Sequence, residues 1–118
     1  MASHNDLGKR GEDIAAQHLI GKGHTILIRN YRFEKSEVDI ISRIGDTIVF
    51  TEVKTRTSDA FGYPEDAVSS RKQAQLKLAM EQYVLENSIT SEPRFDIISI
   101  ITARGRTDIH HIEDAFYH

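Results

Sequence analysis

The chain has 118 residues, 39% of them hydrophobic and 28% charged, with a formal net charge of -3. This describes one ordinary globular domain over residues 1–118, and the weak acidity argues against a protein that coats nucleic acid by bulk electrostatics. The absence of cysteine excludes disulfides, thiolate metal sites and cysteine nucleophiles. No apolar run approaches the ~18 residues of a membrane span, and the first apolar stretch is broken by charge and lacks a cleavage site. Neither a membrane anchor nor a signal peptide is expected, and a cytoplasmic location fits.

From Asn5 to Leu19, the residues Leu7, Gly11, Ile14, Ala15 and Leu19 recur at helical spacing, and Gly21 and Gly23 supply stop signals. Glu12 lies about 100° from Gly11 and one turn from Ala15 and Ala16, at the margin of the buried stripe. An acid there either points at a sheet or sits on the surface and supports the first turns through the helix dipole.

His24 to Phe33 reads as a strand, with Glu34-Lys35-Ser36 turning into a hairpin. Ile40 to Ser42 and Thr47 to Thr51 are rich in β-branched residues, and Gly45-Asp46 carries turn chemistry. With Gly45 and Asp46 as the loop, Ile44 pairs with Thr47. Counting outward, Asp39 falls opposite Glu52 and Glu37 opposite Lys54. Strand alternation then predicts all four on one face. Opposed side chains have Cβ atoms about 5 Å apart, where like charges repel. A divalent cation held by oxygen ligands would offset that repulsion. The competing reading is an ordinary Glu37–Lys54 ion pair, with Asp39 and Glu52 solvated or met by an arginine. Val38, Ile40, Ile41, Val49, Phe50 and Val53 make both strand faces apolar, which marks the strands as central, where charges are usually paired or coordinated.

Arg56 to Ser69 forms a long connection carrying Phe61-Gly62-Tyr63-Pro64, whose aromatics either stack on a base or anchor the loop to the core. Ser70 opens the second helix, with Gln73 three residues on as a capping-box match. Leu76, Ala79, Met80 and Tyr83 would form its buried face. Phe95 to Ile101 is too continuously apolar for an edge strand, so it is expected parallel to the Thr47 to Thr55 strand after a right-handed crossover. Gly105 marks the last turn before a strand from Asp108 to Ile112 and a packed tail from Glu113 to Tyr117. The order is therefore α-β-β-β-α-β-β, an α/β fold with a central mixed sheet flanked by helices. Lys9, Arg10, Lys54, Arg56, Arg71 and Lys72 fall at helix starts or strand ends, and either converge around the acids or scatter as solubilising charges. The six histidines show no ligand spacing, and His110 and His111 point to opposite strand faces.

An acid from a helix, an acid on one strand and an acid-x-lysine pair on the next resembles the layout of restriction-endonuclease-like nucleases. Here these are Glu12, Asp39, Glu52 and Lys54, and archaeal Holliday-junction resolvases show similar spacing. Further blocks resemble the YraN family of small bacterial proteins of endonuclease-like fold. They are Leu7 to Glu12, Arg29 to Arg32, Ser36 to Asp39, Phe50 to Arg56, Phe61 to Pro64, Ala67-Val68, Lys72 and Arg94 to Asp96. Ser36 stands where that family usually has glycine and Thr51 where it usually has valine; neither change touches a carboxylate or Lys54.

The resemblance implies a Mg²⁺ or Mn²⁺ held by Asp39, Glu52 and the Val53 carbonyl, binding the scissile phosphate and acidifying a bound water. Lys54 would orient that water or neutralise developing charge. Glu12 would hold a second metal or orient a hydrated first one, and Glu37 would position Lys54. Lys72 and Gln73 would meet a neighbouring phosphate at the helix start, with Lys9, Arg10 and Arg56 on the nucleic-acid path. The implied activity is a metal-dependent endonuclease acting on DNA ahead of RNA, with branched or damaged structures among its substrates. Resolvases work as dimers, so a homodimer is also implied. The alternative is a catalytically silent nuclease-fold protein that binds nucleic acid or serves as an adaptor.

Overall fold

The computed structural model describes residues 4–57 and 69–116. The Phe61-Gly62-Tyr63-Pro64 segment, the side chain of Leu7 and Tyr117 lie outside the described residues. Helix α1 spans His4–Gly21 and is followed by strands β1 (Thr25–Phe33), β2 (Ser36–Ile44) and β3 (Thr47–Arg56). Helix α2 (Ser70–Glu86) then leads to β4 (Arg94–Ala103) and β5 (Arg106–Ile112). This is the expected order, and the five strands form one mixed sheet in the order β1-β2-β3-β4-β5. Only the β3–β4 pair is parallel, because a helix separates those two strands whereas the others are joined by short turns.

Each face of the sheet carries one helix. Ala15, Ala16 and Leu19 of α1 pack with Ile40, Ile98 and Ile100, while Leu76 and Ala79 of α2 pack with Val38, Ile41, Ile48, Phe50, Phe95 and Ile97. Of the stripes that periodicity marked, Gly11, Ala15, Leu19, Leu76 and Ala79 are buried, with Ile14, Met80 and Tyr83 half-buried at the rim. Phe50 stacks against both Tyr83 and Phe95, and Phe95 against Phe116, so aromatic contacts tie α2 and the tail to one sheet face. Gly11 is required where α1 crosses the sheet: a Cβ there would lie 1.9 Å from Thr55 Oγ1. No helix among the described residues is long and apolar enough to cross a membrane.

The second helix begins one residue earlier in its capping than the sequence suggested. Of the adjacent serines, Ser69 has the extended backbone of an N-cap (φ -66°, ψ 162°), and its hydroxyl accepts from the Lys72 amide.

The β1–β2 ladder has a bulge between Ile26 and Ile28, and its alternation breaks again nearer the site. There it pairs Arg29 with Ile40 and Tyr31 with Val38, stepping over Asn30 and Asp39. Asn30 takes a left-handed conformation with φ 57°, which asparagine tolerates better than most side chains. Side chains two apart consequently leave on opposite faces. Arg29 reaches Glu12 and Asp13 on α1, whereas Tyr31 packs on Tyr83 of α2. Likewise Ile40 joins the α1 cluster and Val38 the α2 cluster. Asp39 sits at this crossover.

Candidate active site

The hairpin register is the one counted from Gly45-Asp46: Ile44 pairs with Thr47, and the ladder runs outward to Ile40 opposite Thr51. It stops there. In place of the next backbone bond, Asp39 Oδ2 accepts the Val53 amide at 2.7 Å. The strands part at this point, and Asp39 and Glu52 line a cavity of about 330 Å³ together with Lys72, Gln75 and Leu76. The expected Glu37–Lys54 pair does not form. Glu37 instead bonds Arg32 (3.0 Å) and Asn30 (3.3 Å) along β1, because the break at Asn30 and Asp39 overrides simple alternation.

Glu52 continues the face of Ile48 and Phe50, is 4% exposed, and aims at the start of α2. Its Oε1 meets Lys72 Nζ at 2.8 Å and Lys54 Nζ at 3.7 Å. Its Oε2 is buried with no hydrogen-bond partner among the described residues. A buried carboxylate oxygen left in this state carries a desolvation cost of several kcal/mol unless something binds it.

Electrostatics separate the roles of Asp39 and the two lysines. Burial, and then the Glu52 charge, push Asp39 up to about 7, against the lowering effect of the Val53 amide. Burial and the neighbouring Lys72 ammonium hold Lys54 below the usual lysine value. Burial opposes the charge of Lys72 too, but its hydrogen bond to Glu52 prevails and holds its proton more tightly. The pair thus contains one firmly charged lysine and one that releases its proton more readily than lysine ordinarily does.

Glu12 is placed differently from the other acids. Its carboxylate is held by Asn30 Nδ2 (3.1 Å) and by Arg29 (3.5 Å), although its charge still reaches Asp39. Among the described residues no three acidic or histidine side chains converge closely enough to hold an ion by themselves. Asp39 and the free Glu52 Oε2 nevertheless fit a hydrated hard cation, since Mg²⁺ typically takes one or two carboxylates and keeps several waters. Such an ion would draw Asp39 into its ionised form and satisfy Oε2, with its remaining positions open to water or phosphate. The Val53 amide, already on Asp39, fixes the orientation of that carboxylate.

The basic residues divide in the same way. Lys54 and Lys72 converge on the acids, Arg56 is half-buried, and Lys9, Arg10 and Arg71 are exposed. The α2 start does not offer the free amides expected for a phosphate: Lys72 N–H goes to Ser69 Oγ and Gln73 N–H to the Ser69 carbonyl at 2.9 Å. The Lys72 side chain, turned toward Glu52, is the cation that the helix start brings to the acids.

A second polar cluster was not visible as a spacing. Fully buried Asp96 accepts a fork from Arg94 (2.9 Å to each oxygen), His111 Nε2 at 2.7 Å and the Asp114 amide at 3.1 Å. Against its burial, these donors hold Asp96 below the usual carboxylate range. His111 Nδ1 in turn faces His18 Nε2 at 3.1 Å, and buried His24 Nδ1 meets Ser42 Oγ at 2.9 Å. Through His111 and the Asp114 amide, Asp96 ties β5 and the tail to β4, which gives this cluster a structural role. Its sequence signals were the acid that interrupts the apolar Phe95 to Ile101 run and the Arg94 to Asp96 block that contains it.

The model of the family described as "Uncharacterised protein family UPF0102" matches residues 11–100. A UPF0102 protein of Christiangramia forsetii is 48% identical over 118 residues, covering all of this chain and 99% of that protein. The UPF0102 protein of Flavobacterium psychrophilum is also 48% identical with the same coverage. That of Phocaeicola vulgatus is 41% identical over 117 residues, covering 99% of this chain and 97% of its own length.

Proposed function

The chain belongs to the UPF0102 family, also known as the YraN family, and we propose that it acts as a metal-dependent phosphodiesterase that cleaves DNA, with branched or damaged structures among its substrates. One observation carries this reading: Asp39, pushed up to about 7, shares a cavity with Glu52, whose buried Oε2 lacks a partner among the described residues, and two lysines flank them. A Mg²⁺ or Mn²⁺ at Asp39 and Glu52 would supply Lewis acidity toward a phosphoryl oxygen. The protein's own groups divide the remaining work. Asp39 is aimed by the Val53 amide and Glu52 by Lys72. Lys54, which meets Glu52 at 3.7 Å, would orient an attacking water or neutralise the charge that builds near the phosphate. Lys72 remains cationic and faces the charge that builds on the pentavalent phosphorus. Glu12 acts at a distance, through its charge on Asp39.

The Lys72–Glu52 contact also supports a second reading, a nucleic-acid-binding or adaptor protein that has lost catalysis. In that protein the ammonium would do permanently what the cation does in an enzyme. Labelled duplex, flap and four-way-junction DNA, with a matched RNA duplex, incubated with purified protein in Mg²⁺ or Mn²⁺ separates the two. Cleavage abolished by Asp39→Asn and by Glu52→Gln is expected. Binding without cleavage on every substrate would favour the adaptor.

A further inference from the structure

His111 has contacts beyond buried Asp96. Asp96 holds the Nε2 side of the ring at 2.7 Å, which leaves the lone pair of a neutral imidazole on Nδ1. That nitrogen faces His18 Nε2, from the last turn of α1, at 3.1 Å and Lys22 Nζ at 3.4 Å. One lone pair thus meets two potential donors. Lys22 also holds Glu113 Oε2 at 3.1 Å, so its ammonium stands between an imidazole nitrogen and a carboxylate, where a bound cation would stand.

Distance and chemistry both suit an ion that prefers imidazole. Two nitrogens each about 2.0 Å from a tetrahedral ion lie about 3.3 Å apart, close to the 3.1 Å of this pair. A carboxylate on the far nitrogen of a ligating imidazole fixes its tautomer and raises its basicity, and Asp96, itself anchored by Arg94 and the Asp114 amide, is so placed on His111. Burial, then the charges of His111 and Lys22, hold His18 below its usual 6.5. It is therefore neutral at pH 7 and, with its proton on Nδ1, presents the Nε2 lone pair. Two nitrogens alone bind weakly, and among the described residues no third ligand already converges on them. Lys22 is what holds the third away: Glu113 lies on it, and the two side chains are 41% and 48% exposed. The lysine can swing into solvent as the carboxylate turns in.

We propose that His18 and His111, completed by Glu113 and water, form a Zn²⁺ site that clamps the end of α1 to β5 and the tail. Mg²⁺, which prefers an all-oxygen shell, does not suit it. The site shares no residue with the Asp39 cavity, so the two stand or fall separately.

Zn²⁺ titration against a chromophoric chelator tests it, in an Asp39→Asn background that removes the carboxylate cavity as a competing site, with circular dichroism to verify folding. One ion per chain is expected, and long-range ¹H–¹⁵N spectra should show the ring nitrogens of His18 and His111 shifting together. His18→Gln, at a half-buried position outside the fully buried core, should weaken binding by about a hundredfold. Lys22→Met removes the competing ammonium and should tighten it by about tenfold. No binding at about 100 µM Zn²⁺, an affinity indifferent to His18→Gln, weaker binding in Lys22→Met, or shifts confined to other histidines would overturn the proposal.

Discussion

Replacing Asp39 by asparagine should stabilise the protein above neutral pH. The side chain keeps an oxygen for the Val53 amide and loses the charge that burial and Glu52 disfavour. The native carboxyl is raised from 3.8 to about 7, a difference that corresponds to about 4 kcal/mol at full ionisation. The sign follows from proton binding. Between these two values the native state holds the proton more tightly than the unfolded chain. Its contribution to stability is therefore complete below pH 3.8, declines as the pH rises, and is lost once the pH passes about 7. Asparagine does not titrate, so the advantage of Asp39→Asn should grow by roughly 2 kcal/mol between about pH 5 and pH 8, below the ceiling because Asp39 is only partly buried. Urea unfolding followed by far-UV circular dichroism suits a chain without tryptophan. In about 10 mM Mg²⁺, wild type should recover part of the difference and Asp39→Asn should gain nothing. A variant no more stable than wild type at pH 8 would refute the reasoning.

Other substitutions test the frame around the site. Gly11→Ala drives a Cβ into Thr55 Oγ1 and should cost about 2 kcal/mol or more in urea unfolding, partly relieved by Thr55→Gly. Asp96→Ala strips a buried carboxylate from Arg94 and His111 and should cost about 3–5 kcal/mol in chemical denaturation. Burial holds His24 below its usual 6.5, so the unfolded chain takes up the proton first as the pH drops. Its contribution should be complete above pH 6.5 and decline as the pH falls from there, a slope that His24→Gln should reduce in the same assay.

Much of this architecture was readable because its causes are local. Gly45-Asp46 fixed the hairpin register from Ile44 to Ile40, and the continuous apolar run of β4 announced a buried strand parallel to β3. The failures share a different cause. Alternation placed Glu37 with Lys54, but one left-handed asparagine shifts the faces of β1 and β2 between one pair and the next. Nothing in an alternating pattern reveals such a step. Ser69 and Ser70 are equivalent as cap candidates until the backbone chooses between them. The His18–His111 contact joins residues far apart in sequence, which no spacing rule reaches, whereas Asp96 and His111 meet across the β4–β5 hairpin. The acids themselves were legible. What the sequence did not reveal was their state: a lysine on one Glu52 oxygen, no partner among the described residues on the other, and Asp39 pushed up to about 7.

Mn²⁺ binding to the purified protein, followed by electron paramagnetic resonance at about pH 8, addresses the assignment of Asp39 and Glu52 as cation ligands most directly. One ion per chain is expected, lost in Asp39→Asn and in Glu52→Gln but retained, at weaker affinity, in Glu12→Gln. No binding at millimolar Mn²⁺, or binding unchanged by Asp39→Asn, would contradict it.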